Sequence, residues 1–306
     1  MKLERNPRSQ EQGDLRSHAP KHGHHGQPGR SSLEIFLNRY HWKNIMSTSS
    51  SSIVREVEDI KTGKTYVCKT NKRETVLDVI NEVTCLKRLD HPSVIKCADA
   101  YVGSSEMHLL LEPLCSTDLE SVLVRKGRLS EKEARLVTER VLHAVQHLHK
   151  RGVVHRNLKP SKILLKNPGD FKKLYLVGFG MAALMLEDED MCLSDSCGSA
   201  LYVAPEVLAA DCLYNEKCDL WSIGVILYQL LTGQPPILAD CTDELLKKIR
   251  FGQVNFEPLD SLLLTDSVKN FVQQLLTLDL EKRPSAAEAL LHPWIANASA
   301  RLESCT

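Results

Sequence analysis

Side chains that can bind phosphate recur along this chain of 306 residues. Lys69, Lys159 and Lys162 each supply an ammonium group, and the run from Ser47 to Ser52 supplies serine hydroxyls. An ammonium attracts phosphate oxygens as a point charge, but it cannot bridge two phosphates as a divalent metal ion does. By themselves, scattered lysines and serines are typical of a solvated surface, and only a surrounding motif would assign them to a site.

Histidines form two groups whose spacing is compatible with metal binding. His143, His147 and His149 fall on one predicted helix, and four more histidines lie between positions 18 and 25. Histidines four residues apart share a helix face and can bind zinc. The first group also fits the polar margin of a packed helix and the second a solvated tail, so we expect no metal at either.

The composition predicts a folded protein with a large core. Hydrophobic residues make up 42% of the chain and charged residues 25%, which excludes disorder of the whole. The 39 basic and 39 acidic side chains cancel, so no global charge attracts the protein to nucleic acid or to an anionic membrane. We expect neither as a partner.

Cysteine usage predicts an intracellular location. The ten cysteines are scattered through apolar stretches without a C-x-x-C pair, as is typical of buried, reduced thiols. Lys2 and the polar residues after it predict neither myristoylation nor a secretory signal. The most apolar run, Ile223 to Leu231, is too short to span a bilayer. A cytoplasmic protein is expected, with the nucleus left open.

Hydrophobic periodicity divides the chain into tails and one domain of two lobes. Residues 1–30 are polar and predicted to be a disordered tail, and 297–306 form a short C-terminal tail. Within the domain, 31–296, a small lobe at about 40–114 combines β-rich runs with one helical stretch, and the lobe at about 115–296 is mainly helical. The predicted helices are 75–89, 131–150, 219–231, 242–251, 266–276 and 285–291.

Three motifs follow one another in the order and spacing of protein kinases. Residues 155–160 (HRNLKP) resemble the catalytic loop, 178–180 (GFG) the metal-binding loop and 204–206 (APE) the A-P-E segment. The resemblance covers residues 40–295, and 197–199 (CGS) is most similar to the calmodulin-dependent group of Ser/Thr kinases. It implies an α+β, bilobal protein-kinase-like fold with a small β-rich N-lobe and a larger helical C-lobe.

In the N-lobe the resemblance implies an ion pair and a flap over phosphates. Lys69 matches the strand lysine that contacts nucleotide phosphates, and Glu82 the helix glutamate that pairs with it. Ser47, Ser49 and Ser52 stand where the family has three glycines. Because serines make this flap bulkier, a polar turn without a ligand is favoured over phosphate contact.

In the C-lobe the residues that the family uses for transfer are replaced. Asn157 stands in the place of the aspartate base, and an amide cannot accept the substrate proton. Lys162 and Gly178 stand in the places of the two magnesium ligands, so the usual metal site is expected to be lost. Lys159 of the catalytic loop is retained.

The residues that match the family's adenine contacts depart less from its pattern than those that match its phosphate and metal contacts. The family has valines or small residues above the base, a leucine beneath it, two backbone positions that bond it and an acidic residue at the ribose. The matching residues are Val54, Val67, Leu164, Glu112, Leu114 and Asp118. Because Val67 replaces the usual alanine, weak binding of ATP without magnesium and ordinary lobe packing are equally supported.

Architectural positions are retained. The resemblance assigns Glu206 and Arg283 to a buried ion pair, and Arg156 to a site that can pair with a loop anion. The acidic run 187–190 could supply that anion, but a solvated charge run is the more common outcome and is favoured. The resemblance also assigns five residues to the stack that couples the lobes: Leu86, Cys97, His155, Phe179 and Asp219.

Two functions remain open. The first is a pseudokinase that needs no cofactor and acts as a scaffold or allosteric regulator of a protein partner, such as another kinase, a substrate or a scaffold. The alternative is a slow, unconventional ATP-dependent Ser/Thr kinase that uses Lys69, Lys159 and Lys162 in place of magnesium. Joint replacement at 157, 162 and 178 favours the first. No basic amphipathic helix follows Trp294, so no calmodulin-binding segment is expected.

Overall fold

The computed structural model describes residues 32–49, 52–72, 76–103, 106–112, 117–185, 199–208 and 214–296. The predicted tails, Leu114 and the acidic run 187–190 lie outside this part of the chain. A strand-rich N-lobe precedes a helical C-lobe, so the predicted α+β architecture is confirmed.

Among the described residues, five antiparallel strands form the N-lobe sheet: β1 (Tyr40–Thr48), β2 (Ser52–Asp59), β3 (Thr65–Lys72), β4 (Lys96–Val102) and β5 (Glu106–Glu112). Their order, β1-β2-β3-β5-β4, makes β3 the central strand. Since side chains alternate between faces along a strand, Val67, Lys69 and Asn71 of β3 point to one face, the inner one.

Helix α2 (Val76–Lys87) covers the inner face of the sheet. Val79, Glu82 and Leu86 follow one another at intervals of three and four residues, which places them on one side of the helix. All three are buried. The helix therefore presents one carboxylate, that of Glu82, among apolar neighbours toward the central strand.

Helix α1 (Ser32–Arg39) covers the outer face, where the sequence reading predicted no element. Phe36 is fully buried and stacks on the His108 ring with the centroids 4.7 Å apart. It also packs against Tyr40 and Tyr101, which belong to a second, aromatic core on this face. Helix α1 thus closes the side of the sheet that faces away from α2.

In the described part of the C-lobe there are seven α-helices: α3 (Leu119–Lys126), α4 (Glu131–Lys150), α5 (Cys218–Thr232), α6 (Thr242–Arg250), α7 (Glu257–Asp260), α8 (Asp266–Leu275) and α9 (Ala286–Leu291). Helix α5 is almost wholly buried, with the fully buried Trp221 in its first turn, and α4 packs against it. Across the described part of the chain, the helices are too short or too polar to cross a membrane.

Short strands place the motif segments at the boundary between the lobes: β6 (Thr117–Asp118), β7 (Val153–Val154), β8 (Ile163–Leu165), β9 (Leu174–Leu176) and β10 (Ala183–Leu184). Residues 155–160 connect β7 to β8, and 178–180 connect β9 to β10. Leu176 of β9 also exchanges backbone hydrogen bonds with Ser93 and Ile95 of the N-lobe. These bonds fix the GFG turn relative to the sheet above it.

Candidate functional site

A cleft of about 370 Å³ lies where the two lobes meet. The N-lobe contributes serines of the flap and the inner faces of β3 and α2, and the C-lobe contributes the two motif loops. The lining residues are Ser49, Ser52, Lys69, Asn71, Val79, Glu82, Asn157, Lys162, Gly178, Gly180 and Met181. The structure thus brings together most of the phosphate-side residues predicted from the sequence.

Lys69 and Glu82 form an ion pair across the roof of the cleft. Nζ of Lys69 donates to Oε2 of Glu82 at 2.6 Å, and the Glu82 side chain is only 2% exposed. Burial weakens the competition of water for both charges. The pair joins the central strand β3 to helix α2.

Gly178 and Lys162 occupy the same small volume on the floor of the cleft. Gly178 has φ +83° and ψ 52°, a left-handed conformation that glycine adopts without steric cost. A Cβ atom added there would lie 2.8 Å from Cδ and 3.1 Å from Nζ of Lys162. The lysine side chain therefore fills the space in which a side chain at position 178 would begin.

The ammonium of Lys162 lies in a positively charged, largely enclosed environment. Burial lowers the pKa of Lys162, nearby Lys159 and Lys69 lower it further, and Glu82 opposes the change. The backbone of Lys162 is held by two hydrogen bonds, from its N–H to the Lys159 carbonyl and from the Val177 N–H to its carbonyl. The fold thus fixes a third lysine close to two others.

These residues do not fit a magnesium ion. Magnesium requires oxygen ligands in octahedral geometry, and Glu82 is the only carboxylate among the described residues that line the cleft. Its Oε2 is engaged by Lys69. No group of three or more His, Cys, Asp or Glu side chains in the described ranges is arranged to hold a metal.

Asn157 is held by a residue that the sequence reading did not assign to the site. Nζ of Lys159 donates to Oγ of Ser199 at 2.9 Å, and that hydroxyl donates to Oδ1 of Asn157 at 3.1 Å. The amide therefore accepts a bond where the family's aspartate would accept a proton. The sequence indicates Ser199 only as part of the CGS signature. Its contact with Asn157 could not be predicted, because it depends on how the loop folds back.

The serines of the flap bond to each other. The Ser49 hydroxyl accepts from the Ser52 N–H at 3.0 Å, and the Ser49 N–H donates to the Ser52 carbonyl at 2.8 Å. Ser47 lies within β1, opposite Val54 of β2. This geometry is that of a closed polar turn, although both Ser49 and Ser52 still line the cleft.

Asn71 is a buried polar residue that the sequence reading missed. It follows Lys69 by two positions on β3 and lines the cleft, and its side chain is 4% exposed. Its Nδ2 has no hydrogen-bond partner among the described residues. Leaving a buried donor unpaired costs about 1–3 kcal/mol. The sequence did hold a signal for this residue, an amide at a position of β3 that faces inward, where an apolar residue is expected.

The predicted adenine residues are dispersed around the inner sheet and the lobe boundary. Val67 packs against the main core opposite Leu111, and Leu164 pairs with Asp118. The Asp118 carboxylate caps helix α3, accepting from the N–H and the hydroxyl of Ser121 at 2.8 and 2.9 Å. Asp118 thus has a structural use of its own.

Glu112 and Val54, which were also predicted on the adenine side, likewise take part in contacts within the fold. The Glu112 carboxylate pairs with Lys64 at 2.5 Å, and Val54 lies opposite Lys69 in the sheet. Leu114 lies outside the described residues.

The catalytic-loop segment is anchored from below by Asp219 of α5. This fully buried carboxylate accepts the N–H groups of His155 and Arg156, both at 2.9 Å, and pairs with Nε2 of His149 at 3.0 Å. Burial alone would raise the pKa of Asp219, but the His149 contact holds it below its usual value. His149, one of the histidines whose spacing is compatible with a zinc site, therefore helps to anchor the catalytic-loop segment.

Other predicted architectural contacts are also present. The His155 and Phe179 rings are 4.8 Å apart and both are fully buried. Glu206 accepts two bonds from Arg283, at 2.5 and 3.0 Å. Arg156 donates to the Met181 carbonyl at 2.7 Å and to the Tyr214 hydroxyl at 3.2 Å. The loops of the site therefore rest on a connected, buried framework.

Comparison with known proteins identifies relatives of this arrangement. A family model described as the protein kinase domain matches residues 40–295. A similar curated protein is the calcium/calmodulin-dependent protein kinase type 1 of Macrobrachium nipponense, 37% identical over 224 residues. The match covers 73% of this chain and 64% of the relative. Helix α1 precedes the matched residues.

Proposed function

The chain belongs to the protein kinase domain family, and on that premise we propose that it is a pseudokinase, acting as a scaffold or allosteric regulator of a protein partner inside the cell. The partner is another kinase, a kinase substrate or a scaffold. The role requires no cofactor, because it depends on the surfaces of the two lobes rather than on transfer of a phosphoryl group.

The exchange at the two metal-ligand positions carries this proposal. Lys162 fills the space beside Gly178 and brings a cation to the place where the family holds magnesium. Kinases rely on metal ions to bridge the phosphates and to neutralise the developing charge. A lysine cannot supply the bridging, so the chain lacks the main source of transition-state stabilisation.

The amide at position 157 supports the same conclusion. General-base catalysis typically contributes about 10²–10⁴-fold, and the Asn157 oxygen is already bonded to the Ser199 hydroxyl. This loss alone would leave a slow enzyme. Together with the replacement of the two metal ligands, the amide at position 157 leaves the chain without a general base and without the charge stabilisation that metal ions supply.

A slow, unconventional Ser/Thr kinase is the second candidate. One observation favours it, the intact Lys69–Glu82 ion pair, which active kinases need to orient the phosphates. In that case Lys69, Lys159 and Lys162 would take over the neutralisation of charge.

Incorporation of labelled phosphate from ATP separates the two candidates. The purified chain is incubated with γ-labelled ATP, magnesium and a generic protein substrate, beside a Lys69→Met variant. The pseudokinase proposal predicts the same background for both proteins. Labelling by the unmodified chain that disappears in Lys69→Met would establish the slow kinase instead.

A further inference from the structure

A cavity of about 340 Å³ lies on the outer face of the N-lobe sheet. Its lining includes Trp42 of β1, Ile53 and Arg55 of β2 and Thr70 of β3. Ile53 lies opposite Thr70 in the sheet, and opposite residues of antiparallel strands share a face. Because Thr70 directly follows Lys69 along the strand, the two side chains point to opposite faces. This outer-face cavity is therefore on the other side of the sheet from the cleft between the lobes.

The guanidinium of Arg55 is held in place while one of its donors is unused. Its Cζ lies over the Trp42 ring, 5.2 Å from the ring centroid, and this cation–π contact restrains the planar group. Its Nε is buried and has no hydrogen-bond partner among the described residues. A guanidinium in this state is preorganised for a carboxylate, which accepts parallel N–H bonds from it.

Asn71 supplies another unused donor at the outer-face cavity. It lies near the end of β3, where it lines both this cavity and the cleft. Its side chain is 4% exposed, and in the described part of the chain its Nδ2 has no partner. A ligand oxygen would satisfy such a donor. Since Trp42 and Ile53 add apolar walls, the cavity suits a ligand with acceptor oxygens at one end and an apolar body.

Glu106 limits the charge that the ligand can carry. Its carboxylate also lines the outer-face cavity, and its Oε2 is 3.8 Å from Nε2 of His108. Burial lowers the pKa of His108, so at neutral pH this histidine is uncharged and leaves the carboxylate unneutralised. One anionic group on a ligand can pair with Arg55, but a second would be repelled by Glu106. Nucleotides and polyphosphates therefore do not suit this cavity.

We propose that the outer-face cavity binds a small monocarboxylate with an aromatic body. Arg55 pairs with the carboxylate and Trp42 packs against the ring. The cavity volume falls within the range of small-molecule sites, about 300–1,000 Å³. The inference goes beyond the proposed function and does not depend on it, because Trp42 and Arg55 are on the opposite side of the sheet from the cleft and take no part in phosphoryl transfer.

Isothermal titration calorimetry of the full chain with three related probes tests the proposal. Phenylacetate carries one carboxylate, phenylacetamide is its neutral counterpart, and phenylmalonate carries two carboxylates on the same ring system. We expect phenylacetate to bind, and each of the other two to bind at least about tenfold more weakly. Absence of phenylacetate binding would overturn the proposal. Equal affinity for phenylacetamide would refute pairing with Arg55, and tighter binding of phenylmalonate would refute selection by Glu106.

Substitutions of the two charged residues assign the site. Arg55→Met should weaken phenylacetate binding by about tenfold or more, since it removes a charge-assisted hydrogen bond. Arg88→Met, a matched change at an exposed position of the chain, should leave the affinity unchanged. Glu106→Gln should raise the affinity for phenylmalonate toward that for phenylacetate. Equal effects of the two arginine variants would refute the assignment.

Arg55→Lys guards against a loss of folding in Arg55→Met. It keeps the positive charge without the planar fork, so its affinity for phenylacetate should lie between those of the unmodified chain and Arg55→Met. Thermal unfolding of each variant shows whether it is folded. Affinity for phenylacetate that is unchanged in a folded Arg55→Lys and a folded Arg55→Met would place the ligand away from Arg55.

Tryptophan emission locates the bound ring. Trp42 lines the outer-face cavity, whereas Trp221 and Trp294 are buried in the C-lobe. Phenylacetate should therefore change the emission of the unmodified chain and have no such effect in Trp42→Phe. A change of the same size in Trp42→Phe would show that the ligand binds elsewhere and would overturn the proposal.

Discussion

At the scale of single residues, Lys162 and Gly178 act as a linked pair. The glycine leaves the volume that the lysine side chain fills, and the lysine carries charge where the family would carry a metal. Neither replacement explains the site by itself. A change at one position should therefore depend on which residue occupies the other.

Gly178→Ala alone is expected to destabilise the protein by about 1–3 kcal/mol, because a non-glycine residue would adopt positive φ and its Cβ would contact Lys162. In the Lys162→Asn background the same change should cost clearly less. Urea denaturation of the two single variants and the double variant measures this coupling. Additive losses would mean that the two positions are independent.

Lys162→Met is expected to stabilise the protein at neutral pH, because methionine keeps much of the volume without a buried charge near two lysines. Burial and the neighbouring lysines hold the folded-state pKa of Lys162 below its ordinary value of 10.5, so the folded protein binds this proton less readily than the unfolded chain. Stability of the unmodified protein therefore rises as pH increases through the folded pKa.

The difference in the free energy of unfolding between Lys162→Met and the unmodified protein should thus become smaller at alkaline pH. Denaturation midpoints at pH 7 and at pH 9.5 make the comparison, with Lys132→Met as the surface control. A variant that is less stable at pH 7 would show that Lys162 is held by favourable pairing instead.

At the scale of secondary structure, most helices could be predicted because their apolar periodicity is long. Helix α4 has the predicted bounds, Glu131–Lys150, and starts at a capping box. Helix α1 was missed because it has only eight residues, although Leu33, Phe36 and Leu37 have helical spacing. Contacts such as that between Ser199 and Asn157 could not be predicted, because they join residues 42 apart in the chain.

Phe36→Ala is expected to cost about 3 kcal/mol, since it removes a fully buried ring from the aromatic core on the outer face of the sheet. Leu37→Ala is the matched control, because Leu37 is 51% exposed on the same helix. Leu37→Ala should lower the free energy of unfolding by no more than about 0.5 kcal/mol. Thermal and chemical denaturation measure both, and equal losses would mean that α1 does not anchor through Phe36.

At the scale of the whole molecule, the framework of a kinase is retained, while Lys162 and Gly178 stand at the positions of the family's two magnesium ligands. The Lys69–Glu82 pair, the Asp219 anchor and the Arg283–Glu206 pair all persist. The sequence resemblance predicted these retained contacts, and the loss of the metal site remains a prediction. It could not predict that the space of the lost metal ligand would be occupied, since the direction of the Lys162 side chain is a tertiary property.

Glu206→Gln is expected to destabilise the protein by about 3 kcal/mol, because it leaves the fully buried guanidinium of Arg283 without its countercharge. Glu281→Gln, a change at an exposed position two residues from Arg283, provides the control and should have little effect. The readout is the free energy of unfolding in urea. A loss no larger than in the control would show that the backbone carbonyls of Thr277 and Lys217, which also accept hydrogen bonds from Arg283, are sufficient.

Anomalous scattering tests directly whether the cleft binds a divalent metal ion. Crystals of the chain grown with ATP and manganese would be measured near the manganese absorption edge. We predict no anomalous peak within coordination distance of a protein oxygen in the cleft formed around Lys162, Gly178 and Asn157. A peak bound there by protein oxygens would contradict the account.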